Sequence, residues 1–207
     1  KNTYENIKNI AEKKIDKNIK NEGLHSGQIC SLLNIVGFNK VTLITSNFDV
    51  IDYSWAKYNK KKMLLTMEEA YRKKEDEIEK SQIKYILKWY EKRHFDNNII
   101  IDFHFGDYIR KSIDKKNPVI ITFNWTMFFK FAKENEKSKI DPINGIYTEH
   151  AVVGYGYDKN GVNICDSHHQ NYKYSRKKYR SGFYKISWER LMTVIGQGDI
   201  IIPENYF

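Results

Sequence analysis

His150-Ala-Val-Val-Gly-Tyr-Gly-Tyr-Asp-Lys-Asn-Gly-Val-Asn-Ile-Cys-Asp166 reads as a strand, a tight turn and a second strand. A histidine opens the first strand and a carboxylate closes the second. An acid held against an imidazole fixes its tautomer and raises its basicity. For the two side chains to lie directly opposite, the turn must centre near Asp158. The Asn160-Gly161 pair favours a turn about two residues later, so a bulge near Gly161 is expected to reconcile the two.

What such a pair lacks is a nucleophile, and the chain offers one upstream. Cys30 sits in Gly27-Gln-Ile-Cys-Ser-Leu-Leu-Asn-Ile-Val36, where a glycine-containing loop runs into an apolar helical pattern. A helix N-terminus and an adjacent imidazolium each lower a thiol pKa. In this reading Cys30 is the nucleophile, His150 the general base and then acid, and Asp166 the orienting group. The Cys30 backbone N–H and the Gln28 side-chain amide are the candidate oxyanion donors, with His25 as the alternative to Gln28. Each residue also has a structural reading. Cys30 could be a small buried hydrophobe, His150 a satisfied structural histidine and Asp166 a strand-end cap. Cys165, beside Asp166 in the strand, should face the other way and is expected in the core.

The rest of the sequence supplies the scaffold. A chain of 207 residues suits one domain with a substantial core. With 41% hydrophobic and 29% charged residues, the composition is that of a folded protein rather than a disordered one. No run of about 18 apolar residues is present, so no transmembrane segment is expected. No export signal is visible after Lys1, and the compartment stays open, with secretion or delivery outside the producing cell among the alternatives. The net charge of +9 is spread along the chain, with clusters at 57–62, 72–74 and 176–180. A solvated basic surface is the main reading and an acidic partner surface the second. Nucleic acid is not an expected partner, because no recognition module or acidic metal cluster accompanies the charge.

Helical spacing of Ile7, Ile10, Ala11 and Ile15 predicts an amphipathic helix within residues 1–22. Helix is expected over 30–37, ended by Gly37, and over 108–115. Strands are expected at 41–45, 98–105, 119–123, 182–186 and 199–203. Residues 52–93 read as two helices, an insertion or lid over about 53–93 in a single domain of 1–207. Residues 125–136 are ambiguous, 141–145 form a turn, and 167–180 form a basic, tyrosine-rich loop. Ser187 caps a final helix, with Trp188 in the core. Asp102, His104, Asp107 and His168-His169 share no known ligand spacing, so neither metal nor cofactor is expected.

The run at 150–157 resembles the histidine strand of papain-like cysteine peptidases. Tyr108-Ile-Arg-Lys-Ser-Ile-Asp-Lys-Lys-Asn-Pro-Val-Ile-Ile121, Gly161-Val-Asn-Ile-Cys-Asp166 and Gly182-Phe-Tyr-Lys-Ile-Ser-Trp-Glu-Arg-Leu191 narrow the resemblance to the bacteriocin-processing, double-glycine leader peptidase branch. It covers about residues 105–203, thins around Cys30 and does not extend over 53–93. Gln28 stands two residues before the cysteine, where that family places its oxyanion glutamine about six before, and Ser31 follows where Gly or Ala is usual. The resemblance implies an α+β papain-like fold, a helical part packed on an antiparallel sheet, and a cysteine hydrolase of amide bonds acting on a peptide or protein through a thioester. A bacterial toxin or effector and a housekeeping peptidase both fit. Deamidation or transglutaminase-type acyl transfer on the same triad, and an inactive binding module of the same fold, are the alternatives.

Overall fold

The computed structural model describes residues 3–15, 24–135, 139–167, 182–196 and 198–204. Most of the basic loop at 167–180, including His168 and His169, lies outside the described residues. The chain divides into two compact units.

The first unit holds Lys1–Leu43, Phe48–Ile101 and Pro203–Phe207. Its elements are α1 (Thr3–Lys14), α2 (Ser26–Ile35), the start of β1 (Lys40–Thr45), a 3-10 turn (Tyr53–Lys57), α3 (Lys60–Lys73), α4 (Glu77–Tyr90) and β2 (Asn98–Ile101). The 52–93 region forms the two expected helices because each has its own cap. Asn59 accepts from the Lys62 N–H at 2.9 Å, and Asp76 accepts from the Ile78 and Glu79 N–H groups at 3.0 and 2.9 Å. Their apolar faces bury Met63, Met67, Ile83, Ile86 and Trp89.

Helix α4 packs directly on α2, the helix that carries Cys30. A Cβ at Gly27 would stand 2.4 Å from both Ile86 N and the Tyr85 carbonyl carbon, so the two backbones touch where only glycine fits. The Asn97 amide ties the far end, donating to Asn34 Oδ1 and to the Trp89 carbonyl, each at 3.1 Å. Gly27→Ala should force the helices apart and cost about 1–3 kcal/mol, the usual range for overpacking. Urea unfolding reads this as a lower midpoint at unchanged slope. An unaltered midpoint would mean that the contact yields without strain.

The second unit holds Ile44–Asn47 and Asp102–Ile202. Its strands are β3 (Val119–Asn124), β4 (Glu149–Asp158), β5 (Gly161–Cys165), β6 (Phe183–Ser187) and most of β7 (Asp199–Glu204), in the order β7-β3-β4-β5-β6. Each of these pairings is antiparallel. Helices α5 (Phe105–Asp114), α6 (Trp125–Phe129) and α7 (Trp188–Ile195) accompany them. Val119, Ile121, Phe123, Ile164, Ile186, Ile109 and Leu191 form the core. The ambiguous stretch after residue 124 becomes helical because Asn124 caps it, accepting from the Met127 N–H at 2.8 Å. It stops where Lys130 turns left-handed, at φ 58°. Ser187 caps α7 as expected. Helices with an antiparallel sheet make the α+β class expected from the sequence.

The β4–β5 hairpin decides the site. Asp158 pairs with Gly161 across a two-residue turn. Asp158 Oδ1 closes that turn by accepting from Asn160 N and Gly161 N at 2.8 and 3.1 Å. A bulge is present, but between Gly154 and Gly156 on the first strand rather than near Gly161. Gly161 has a different task. A Cβ there would lie 2.0 Å from the Ile186 carbonyl oxygen, so the glycine lets β6 approach.

Candidate active site

Val153 pairs with Cys165, and extending that register sets Asp166 beside Val152, two residues along from His150 on the same face. The two side chains therefore meet diagonally rather than head-on, and both are long enough to span the offset. His150 Nε2 lies 2.9 Å from Asp166 Oδ1. The Asp166 side chain is 0% exposed and that of His150 19%.

An ionised carboxylate can only accept, so Nε2 carries the proton and Nδ1 presents its lone pair. The second carboxylate oxygen is held as well. The Tyr184 hydroxyl donates to Asp166 Oδ2 at 2.7 Å. The Asp166 N–H donates to the Gly182 carbonyl at 2.8 Å, which fixes the backbone beneath the carboxylate. Trp125 packs against the imidazole with ring centroids 4.3 Å apart and planes at 69°, and Phe123 stands across the strand pair at 6.2 Å. These rings keep water off one side of the pair and strengthen its electrostatics.

Neither Tyr184 nor Trp125 emerges from the sequence as part of the site. The signal for Tyr184 was present in alternation. It lies opposite Ile164 in the β5–β6 register, and therefore on the same face as Asp166. Trp125 follows β3 immediately, and Phe123 of that strand is the partner of His150.

Cys30 and Gln28 belong to the first unit, and His150 and Asp166 to the second. Helix α2 starts four residues before Cys30, with His25 as N-cap, so the cysteine sits in the second turn. The reason is a capping pattern that the sequence reading did not use. Gln28, third in the helix, reaches back with Oε1 to accept from the His25 N–H at 2.8 Å. The Gln28 and Ile29 N–H groups both turn to the His25 carbonyl, at 2.9 and 3.0 Å. Amides outside the helical ladder thus belong to residues before Cys30, whose own N–H is the fifth of the helix. Cys30 is 0% exposed. Cys165 is half-buried rather than core, on the face turned away from Asp166. Both are thiols and not a disulfide.

Asp102 and Trp188 take part in local hydrogen bonding. The Asp102 carboxylate accepts from Phe103 N at 2.6 Å, His104 N at 3.1 Å, His104 Nδ1 at 2.6 Å and Tyr108 OH at 2.9 Å. Partial burial opposes its ionisation, but those donors outweigh it and hold its pKa at about 2. Burial and this carboxylate together push Tyr108 up to about 12. Asp102 thereby organises the turn into α5. Trp188, expected in the core, is half-buried and donates through Nε1 to the Asp158 carbonyl at 2.9 Å. Among the described residues no helix is long and apolar enough to cross a membrane.

A sequence model of the Peptidase_C39 like family matches residues 29–195. Among solved structures, a protein described as a C39-like peptidase from Bacillus anthracis is similar at 22% identity with a TM-score of 0.28. That match covers 49% of this chain, and the chain spans about half, 48%, of that protein. No curated protein matches.

Proposed function

Because the chain belongs to the Peptidase_C39 like family, a cysteine peptidase-like class, we propose that it cleaves amide bonds in peptides or proteins with Cys30, His150 and Asp166. The observation that carries this reading is the buried carboxylate on His150 Nε2, which leaves Nδ1 as the basic nitrogen. In the proposed cycle the Cys30 proton passes to Nδ1, and the thiolate attacks the substrate carbonyl carbon. The tetrahedral oxyanion collapses, the C–N bond breaks and the amine leaves with the proton from Nδ1. Water, deprotonated by the same nitrogen, then attacks the thioester and releases a carboxylic acid and the thiol. Asp166 keeps its charge throughout and stabilises the imidazolium. Gln28 would donate its amide N–H to the oxyanion while its oxygen caps α2. The same cycle serves deamidation when the attacked amide is a side chain, and acyl transfer when an amine replaces water.

One observation favours a second reading, a non-catalytic binding module. Cys30 is completely buried and lies a full turn inside its helix, where a thiol gains least from the helix N-terminus. Iodoacetamide modification of Cys30 against pH separates the two. The peptidase reading expects a fast plateau below pH ~7 that vanishes in His150→Ala. A slow rate that rises only near pH ~8.5, equal in both proteins, would sink the peptidase reading and leave the binding module.

A further inference from the structure

Asp166 is gripped from both flanking strands. His150 approaches its Oδ1 diagonally from β4, and Tyr184 approaches its Oδ2 diagonally from β6. A carboxylate rotates easily about its last torsion, which is broad and roughly two-fold. A donor on each oxygen sets the plane of the group and so the direction in which Oδ1 faces the imidazole. The phenol is itself held. Its ring stacks on Phe128 with centroids 6.1 Å apart and planes at 23°. Phe128 is in turn covered by the Arg190 guanidinium at 4.5 Å, and Arg190 Nη2 donates to the Phe128 carbonyl. Arg190 belongs to α7, so a chain of contacts runs from that helix through Phe128 and Tyr184 to Asp166 and His150.

We propose that Tyr184 is a positioning residue that fixes the Asp166 carboxylate and, through it, the Nε2–H tautomer of His150. The consequence for turnover rests on the peptidase reading. The consequence for the imidazole does not. Without the hydroxyl, Oδ2 loses a charge-assisted donor on a carboxylate that is itself unexposed, and the carboxylate turns to recover what it can. Oδ1 then leaves the line of Nε2, and the neutral ring gains access to the Nδ1–H form, which cannot take a proton from a thiol.

The test is Tyr184→Phe, which removes one oxygen and keeps the ring on Phe128. Nitrogen-15 chemical shifts of His150 report the neutral tautomer directly, with Asp166→Asn as the reference for a lost Nε2–H. Wild type should be almost wholly Nε2–H, and Tyr184→Phe should show a measurable Nδ1–H population at unchanged thermal midpoint. With a cleavable peptide, kcat should fall roughly tenfold to a hundredfold, the usual effect of removing such a supporting partner, with KM unmoved. Should Tyr184→Phe melt early, Arg190→Leu provides the second variant. It loosens Phe128 and should move the same shifts in the same direction by less. Identical tautomer populations in all three folded proteins would overturn the proposal. Absence of turnover in wild type would instead count against the peptidase reading, and the nitrogen shifts would still decide the role of Tyr184.

Discussion

His150→Ala is expected to lower amide-bond cleavage roughly ten-thousand-fold, and Cys30→Ala at least as much, with the double variant no worse than either. The non-additivity is the informative part. Nucleophile and base act in one step, so removing either removes the step, and the second loss has nothing left to remove. Digests of a peptide mixture read by mass spectrometry give the rates. Asp166→Asn completes the series. An asparagine amide turned toward Nε2 donates where the acid accepted, which forces the proton onto Nδ1 and silences the base without emptying the site. Cleavage that survives Cys30→Ala would eliminate the thioester and the proposed nucleophile with it.

Gln28→Glu is expected to cut kcat by about a hundredfold to a thousandfold while leaving α2 intact. The geometry makes this substitution more discriminating than alanine. Gln28 uses its oxygen to cap the helix at His25 N, and glutamate retains that oxygen. What glutamate lacks at neutral pH is the N–H that would meet an oxyanion. Circular dichroism and thermal midpoint should match wild type, while the cleavage rate falls. If the rate is unchanged, Gln28 is a cap alone and the oxyanion donor lies elsewhere, with the first-turn amides before Cys30 the next place to look. Gln28→Ala would lose both functions at once and could not tell them apart.

The hairpin was legible because three levels agree on it. Period-two apolar residues, an Asp-x-Asn-Gly turn and a His–Asp pair at its two ends all point to one element. The bulge was legible in existence and not in place. The sequence rewards glycine at a turn, while Gly161 is in fact required for the close approach of β6, a contact with residues far along the chain. The start of α2 was misplaced for a similar reason. Histidine is an unusual N-cap, and the reciprocal Gln28 bond becomes readable only when the helix is allowed to begin at Ser26. The two helices in 52–93 were legible from apolar residues at helical spacing, and the structure adds the caps Asn59 and Asp76, which the sequence reading did not use. Tyr184 was hidden because a tyrosine in a strand is ordinary, and only the register across β5 reveals that its hydroxyl reaches Asp166. Cys165 was misjudged since the face turned away from Asp166 is only half covered.

The first unit is not a continuous stretch of sequence: its last segment, Pro203–Phe207, is translated after everything in the second. Lys40 Nζ meets Glu204 Oε2 at 3.1 Å within that unit, so Lys40 finds its partner only after the whole of the second unit has been translated. On the ribosome, β3, β4, β5 and α7 are all made while the first unit still waits for its last segment. Long-range closure of this kind slows folding. In sequence order, His150 and Asp166 are both made before the last segment of the unit bearing the thiol.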